Sequence, residues 1–172
     1  WGNWHETEPG IPTVYPAENF TSLEPYRRRM LSARTLGCTP RVIVEREDPS
    51  LRGFSNRAEA RQFFQKLGFV AFQLEELQLA DQAALFRGAD VVVLTHGAAF
   101  TNLIFARPGT LVLEFFPRPI GTHKINFFFQ IARYYGLDYH VFCLDSDEKG
   151  NIPLDMETKR IVKNLLIAHR QK

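Results

Sequence analysis

The segment DVVVL at positions 90–94 constrains the fold of this chain more than any other feature. From Val91 onward its side chains are apolar, so both faces of a strand here would be buried, as in a parallel sheet that helices cover on each side. Parallel strands also need long crossover connections, which are usually helices. The segment therefore predicts a central strand in an α/β fold.

Extended and helical patterns alternate along the chain around this segment. They predict strands over 41–45, 69–72, 90–94, 110–114 and 138–144. They also predict helices over 23–36, 57–67, 81–88, 124–135 and 156–169, and one after Ala99 that ends at Ala106. This alternation predicts a Rossmann-like parallel sheet with helices on both faces.

The first 22 residues differ in character from the remainder. They include Pro9, Pro12 and Pro16 and show no sustained period, which is typical of a linker or lead-in segment. We expect residues 23–172 to form one domain. The chain begins with Trp1 instead of Met and has no recognisable signal peptide, so we expect it to be a piece of a longer protein.

Composition excludes several classes of function. The chain has 21 Lys and Arg against 19 Asp and Glu, a formal net charge of +2. The signs are interspersed, so we predict no nucleic-acid partner. The apolar runs are too short to cross a bilayer. Two cysteines, Cys38 and Cys143, form no disulfide framework, and whether they pair is open.

Three ionisable residues mark the predicted carboxyl ends of strands, where ligands bind in open parallel sheets. Arg46 follows the first strand, His96 follows the third, and Glu114 closes the fourth. Arginine offers a planar fork that suits phosphate, and Arg52 lies close by in the chain. A carboxylate such as Glu114 suits ribose hydroxyls.

The segment His96-Gly-Ala-Ala99 is the sharpest candidate for an anion site. Small residues at a helix start let a diphosphate approach the free N–H groups, and the helix dipole adds attraction. Each candidate also has a structural interpretation. His96 and Gly97 would merely form a turn, the arginines would pair with Glu47 and Asp48, and Glu114 would be a solvated strand end.

The sequence lacks the motifs of several other common enzyme and cofactor sites. The chain has no G-x-S-x-G, Walker A or G-x-G-x-x-G motif. Its five histidines never fall at metal-ligand spacing, and Asp145-Ser-Asp147 is interpreted as an acidic turn, so we expect no metal or other cofactor. A nicotinamide or methyl-donor enzyme is the alternative within this fold class, but it predicts a glycine-rich first loop, and 45–53 is charged.

A set of residues in a fixed order along the chain gives a more specific indication of function than any single motif. The stretch 82–117 includes Gln82, the strand and loop 89–105, the PGT sequence at 108–110, Glu114 and Pro117, and the loop upstream includes Arg46, Asp48, Ser50, Arg52 and Asn56. Over roughly residues 23–170 this order resembles the catalytic domain of glycosyltransferase family 61. The resemblance implies a GT-B-like enzyme of two Rossmann-type halves, of which this chain is the C-terminal, donor-binding half.

The resemblance also implies roles for individual residues. Arg46, His96 and the backbone of Gly97 and Ala98 would hold the diphosphate of a nucleotide sugar, which is expected to be a UDP-sugar. Glu114 would bind the ribose. Further donor-binding positions carried over from the family are Arg52, Asn56, Gln82, Ala99, Thr101 and Asn102, with Asn56 and Gln82 in support.

The implied reaction is inverting, metal-independent transfer of a hexose or pentose to the hydroxyl of a glycan or protein acceptor. The catalytic base is expected in the N-terminal half, so no catalytic residue is named. Eukaryotic family members work on the lumenal side of endoplasmic reticulum or Golgi membranes, whereas bacterial ones face the cytoplasm. The sequon at Asn19 favours the former, and the compartment stays open.

Four positions depart from residues common in the family. Ala99 often has glycine in its place, Phe100 has leucine, and Arg57 and Asp81 have glutamate. None of these changes removes the expected phosphate site. The alternative is a non-catalytic interaction domain with a degenerate glycosyltransferase fold, for which loss of Arg46, His96 or Glu114 would be the sign; all three are present.

Overall fold

Five strands form one sheet in the computed structural model of the chain, which describes residues 18–32, 39–46, 52–118 and 123–171. The strands are β1 (Arg41–Glu45), β2 (Val70–Gln73), β3 (Val91–Thr95), β4 (Leu111–Arg118) and β5 (Asp138–Asp145). Their order across the sheet is β2-β1-β3-β4-β5. Every neighbouring pair is parallel, which confirms the predicted α/β class.

Helices cover both faces of the sheet. The helices in chain order are α1 (Glu18–Thr21), α2 (Glu24–Ser32), α3 (Arg57–Lys66), α4 (Leu79–Gly88), α5 (His123–Tyr134) and α6 (Met156–Arg170). A short 3₁₀ turn spans Leu74–Glu76, and an eight-residue 3₁₀ helix spans Ala98–Phe105. No helix in the described parts of the chain is both long and apolar enough to cross a membrane.

The side chains of the strands divide into two cores by strict alternation. Val42 and Val44 of β1 pack with α2, α4, α5 and the 3₁₀ helix, whereas Ile43 packs with α3 and α6. The other strands alternate in the same way. Arg46, His96 and Glu114 continue the alternation that begins at Val44, Leu94 and Val112. The three candidate residues therefore share the face of the sheet that α4 and α5 cover.

Among the described residues, the predicted boundary furthest from the structure is the end of the fourth strand. The strand predicted to end at Glu114 continues to Arg118, so that prediction is wrong. Beyond Phe115 strand β4 pairs with β5 alone, because β3 has ended, and Pro117 is accommodated where its missing N–H faces no neighbouring strand. The first predicted helix, 23–36, is α2, and its last predicted residues lie outside the described part of the chain.

The predicted lead-in segment is helical in part. Helix α1 occupies four residues of the predicted lead-in segment, and its Phe20 is buried in the core on the α4 and α5 side. Residues 1–17 lie outside the described part of the chain. So does Cys38, and its pairing with Cys143 stays open.

Helix α2 fixes the end of the 3₁₀ helix through one arginine. The Arg27 guanidinium donates from Nε to the carbonyl of Ile104 and from Nη2 to that of Ala106, the latter at 3.5 Å. The same guanidinium lies 5.0 Å from the centre of the Tyr135 ring. Carbonyls at the end of a helix have no donor within the helix, so this contact satisfies groups that would otherwise be buried alone.

Replacing Arg27 with alanine should therefore lower the free energy of unfolding by about 1–3 kcal/mol, since buried carbonyls lose their donor. Urea denaturation followed by circular dichroism measures the change. Arg28 lies exposed on the same helix and gives the matched control. Equal stability of the Arg27→Ala and Arg28→Ala variants would contradict the role assigned to Arg27.

Candidate functional site

The strand order places a crevice at the carboxyl ends of β1 and β3. From β1 the chain moves to β2 on one side, and then crosses to β3 on the other side. Ligands of open α/β sheets bind where the order reverses in this way. Arg46 follows β1 and His96 follows β3, so the structure brings both residues to the reversal point. Nη2 of Arg46 donates a hydrogen bond to the backbone carbonyl of His96 at 2.7 Å.

The Arg46 guanidinium keeps an unused donor. Its Nε is buried and has no hydrogen-bond partner among the described residues. Burial, together with the charge of Arg52, lowers the pKa of Arg46, while Glu75 acts in the opposite direction. An arginine remains charged at neutral pH despite such a shift. The reversal point therefore holds a half-buried cation with hydrogen-bonding capacity to spare.

Gly97 allows this close approach. A Cβ built on Gly97 would lie 1.9 Å from Nη2 of Arg46, which is far inside any contact distance. The φ of Gly97 is 164°, extended backbone that any residue adopts. Glycine is thus required here for space and not for its conformational freedom.

The 3₁₀ helix begins directly after Gly97. Ala98 is exposed and Ala99 is half-buried at its first turn. The hydroxyl of Thr101 is exposed and donates to the Ala98 carbonyl at 2.8 Å. The first N–H groups of a helix have no acceptor within it, and they attract anions. Ala98, Ala99 and Thr101 therefore lie at the predicted helix start, next to Arg46.

Gln82 and Asn102 lie behind this helix start and hold it in place. The Gln82 amide donates to the carbonyls of Leu74 and Leu77 at 2.9 and 3.1 Å. Its oxygen accepts a hydrogen bond from Asn102 at 3.1 Å. The pair joins α4 to the 3₁₀ helix. Both amides bond to other groups of the chain, so they hold the two helices together.

His96 is held by a buried carboxylate. Nδ1 of His96 lies 2.6 Å from Oε1 of Glu114, and the Tyr139 hydroxyl donates to Oε2 of the same side chain. Glu114 is fully buried and His96 is 5% exposed. Rings of Phe116 and Phe128 contact the imidazole edge-on, with centroids 4.5 and 5.4 Å away.

This environment bears on the role predicted for Glu114. The carboxylate lies inside β4 and not at the end of a strand, and each of its oxygens already has a protein partner. Direct contact with a ribose stays a prediction, while the geometry gives Glu114 a different neighbour, His96. Tyr139 was not predicted as a site residue, because only the pairing of β4 with β5 brings it to Glu114.

Arg52 stands on a loop segment, 52–56, that a second segment holds in place. The Arg52 N–H donates to the Lys149 carbonyl, and its φ of 51° is unusual for a residue with a side chain. Residues 53 and 55 bond with Ile152 through their backbones, as in a short parallel bridge. Glu47, Asp48 and Ser50 lie outside the described residues, so the predicted pairing of the arginines with acids stays open.

Asn56 completes this attachment. Its Nδ2 donates to the Leu154 carbonyl at 3.0 Å and its Oδ1 accepts from the Leu154 N–H at 2.9 Å. The amide also donates to Glu59 at 2.9 Å. Asn56 thus lies on the α3 and α6 side of the sheet, and the structure does not bring it to His96 or to the 3₁₀ helix.

A small cleft lies on the other side of Arg46, at the end of β1. Glu45 there bonds to Arg61, whose Nε is 3.0 Å away, and lies 3.5 Å from Arg57. Burial raises the pKa of Glu45, but the hydrogen bonds and charges of Arg61 and Arg57 outweigh burial and lower it overall. The cleft is lined by Ile43, Val44, Glu45, Arg46, Gly53, Phe54, Arg57, Arg61 and Thr95.

Metal-ligating groups are dispersed over the structure. Within the described ranges, no group of three or more His, Cys, Asp and Glu side chains could hold a metal ion.

Known proteins resemble this chain along most of its length. A sequence profile of the family Glycosyltransferase 61 matches residues 4–113. Protein O-linked-mannose β-1,4-N-acetylglucosaminyltransferase 2 of Tetraodon nigroviridis is 28% identical over 114 residues, which are 63% of this chain and 19% of that protein. A xylan glycosyltransferase of Arabidopsis thaliana is 27% identical over 92 residues, 52% of this chain and 19% of that protein.

The matched range differs from the one predicted. It begins within the lead-in segment and ends at residue 113, so it contains the candidate residues from Arg46 to Asn102 but not Glu114 or Tyr139. The alignments span 19% of the length of each of the two relatives.

Replacing Asn56 with alanine tests its structural role. The variant should lose about 1–3 kcal/mol of unfolding free energy, because the Leu154 N–H and carbonyl both lose their partner. Chemical denaturation measures the loss, and Asn164→Ala on the exposed side of α6 is the matched control. Stability equal to that of the control would show that Asn56 does not hold the two segments together.

Proposed function

We propose that this chain, which belongs to glycosyltransferase family 61, binds the nucleoside diphosphate of a sugar donor at the carboxyl ends of β1 and β3. The sugar is then transferred to an acceptor hydroxyl. The observation that carries the proposal is the Arg46 guanidinium, held against Gly97 at the reversal point, with no partner for its Nε among the described residues. A buried donor without an acceptor indicates a place for an anion from outside the chain.

Three kinds of group would hold the diphosphate. Arg46 supplies a charged fork that matches phosphate oxygens. The backbone N–H groups at the start of the 3₁₀ helix supply further donors next to it. His96 supplies an imidazole nitrogen, Nε2, that has no partner among the described residues. Arg52 adds positive charge from the loop, as its effect on the pKa of Arg46 indicates.

The same groups suit the chemistry of transfer. As the bond from the anomeric carbon to the diphosphate breaks, negative charge grows on the leaving phosphate. Donors already aimed at that position stabilise the charge without a bound metal. We propose an inverting reaction, in which the acceptor oxygen attacks as the nucleoside diphosphate leaves from the opposite side. Neither the attack of the acceptor oxygen nor the departure of the nucleoside diphosphate needs a group of this chain to act as the base.

The base and the acceptor site are proposed to lie in another half of the enzyme. The alignments span 19% of each relative, which leaves room for a second Rossmann-type half in a GT-B arrangement. The relatives' names refer to N-acetylglucosamine and to xylan, so a UDP-linked hexose or pentose and a glycan or glycoprotein acceptor are the substrates we propose. Donor binding is the part of the reaction that the described residues support directly.

Calorimetry with UDP, GDP and CMP, each with and without magnesium, tests the proposal. We expect UDP to bind with a dissociation constant on the order of 1 mM or tighter. Binding should not depend on magnesium. His96→Ala should weaken it about tenfold or more, since a hydrogen bond to a charged group is lost. His140→Ala, on the opposite face of the sheet, is the control. If none of the three nucleotides binds to a folded chain, the proposal of donor binding is contradicted.

Replacing Gly97 with alanine should separate folding from binding. The new Cβ would displace Nη2 of Arg46, which is the mobile end of a side chain, so we expect only a small change in the melting temperature. UDP binding should weaken about tenfold or more, because the cation leaves its position. In an Arg46→Ala background the same substitution should have no further effect on affinity. Additive losses in the double variant would contradict action through Arg46.

A further inference from the structure

Glu114 is the most deeply buried ionisable side chain at the site, and its contacts within the chain assign it a role besides the predicted contact with the ribose. It is fully buried, and both of its oxygens accept hydrogen bonds. One comes from Nδ1 of His96 at 2.6 Å and the other from the Tyr139 hydroxyl. A carboxylate in such surroundings is costly unless its partners are held firmly. The three side chains come from the end of β3, from β4 and from β5.

The donors in this group follow from its chemistry. An ionised carboxylate only accepts hydrogen bonds, so Nδ1 of His96 carries a proton, and in the neutral form of the ring Nε2 has none. Burial, followed by the charge and hydrogen bond of Glu114, raises the pKa of Tyr139 well above its ordinary value. Tyr139 therefore stays an O–H donor. Nε2 of His96 has no partner among the described residues, so it is the atom that the ring offers to a ligand.

We propose that Glu114 and Tyr139 are positioning residues that fix the tautomer and the orientation of His96, with Nδ1 protonated and Nε2 free for a phosphate oxygen. Phe116 and Phe128 contact the ring edge-on and limit its rotation. The identity of the ligand rests on the proposed function, whereas the tautomer does not. A phosphate oxygen accepts hydrogen bonds, so Nε2 must carry a proton of its own to bond to it. The carboxylate balances the charge of the ring.

Tyr139 matters because the carboxylate of Glu114 is fully buried, out of contact with bulk solvent. Without the hydroxyl, Oε2 of Glu114 would be a buried acceptor with no partner, in a core that Phe100 and Phe128 fill. The hydrogen bond from Nδ1 of His96 to the carboxylate would then lose the contact that holds Glu114 in place. His96 would lose its single tautomer. The effect of Tyr139 on a ligand would thus be transmitted through two side chains, without any contact to the ligand itself.

Nitrogen-15 spectra of the imidazoles test the tautomer directly in the ligand-free chain. In the wild type, Nδ1 of His96 should show the shift of a protonated nitrogen and Nε2 that of an unprotonated one. Assignment comes from the His96→Ala spectrum. In Tyr139→Phe and in Glu114→Gln the two shifts should move toward each other, as expected of mixed tautomers. Tyr134→Phe, which removes a hydroxyl that lies 3.3 Å from the Thr21 hydroxyl, should leave them unchanged.

The affinity for UDP gives the second measurement. Tyr139→Phe should weaken binding roughly tenfold, the size of loss seen when a group that orients a ligating histidine is removed. Tyr134→Phe should not weaken it. A wild-type spectrum with the proton on Nε2, or unchanged His96 shifts in a folded Tyr139→Phe chain, would overturn the inference whether or not UDP binds. Failure of UDP to bind the wild type, with the predicted spectrum present, would overturn the donor proposal alone.

Discussion

The hydrogen bond from Arg46 to the His96 carbonyl joins the two strand ends on which the site is built. It forms only because β1 and β3 are neighbours and because Gly97 presents no side chain. The guanidinium that makes this bond is half-buried and stands near Arg52, and its Nε has no partner in the part of the chain that the structure describes. In isolation each of these features is unfavourable. Together they are the basis for the proposed anion site, because a cation already held in place by folding would lose less freedom when an anion binds.

The two faces of the sheet support different parts of this arrangement. On the α4 and α5 face, Gln82, Asn102 and Arg27 hold the 3₁₀ helix at its two ends. On the α3 and α6 face, Asn56 and the backbone around Ile152 hold the loop that carries Arg52. The charged groups of the site therefore depend on both hydrophobic cores. A repacking of either core would shift one set of groups relative to the other.

The sequence was sufficient for the fold class and for the neighbourhood of His96. The apolar run of β3 indicated a central strand, and Gly97 after it indicated a helix start. The end of β4 was predicted wrongly, because Pro117 favours termination of a strand unless one neighbour has already ended. Asn56 pairs with a residue 98 positions away, and Tyr139 reaches Glu114 only through the β4–β5 register. Such contacts join residues that are far apart in the chain and leave no local pattern, so spacing and periodicity cannot predict them.

The site also illustrates how a buried charge can serve specificity at a distance from the ligand. Replacing Glu114 and its partners by apolar residues would remove an expensive carboxylate and fill the core equally well. The carboxylate instead selects one of two His96 tautomers, and so decides which ring nitrogen is offered at the strand ends. Arg46 and the helix start would attract any anion of suitable size. In the proposed donor complex, a histidine held in one orientation would add a hydrogen bond with one direction, and that direction would distinguish a diphosphate in the correct pose from an anion that merely neutralises charge.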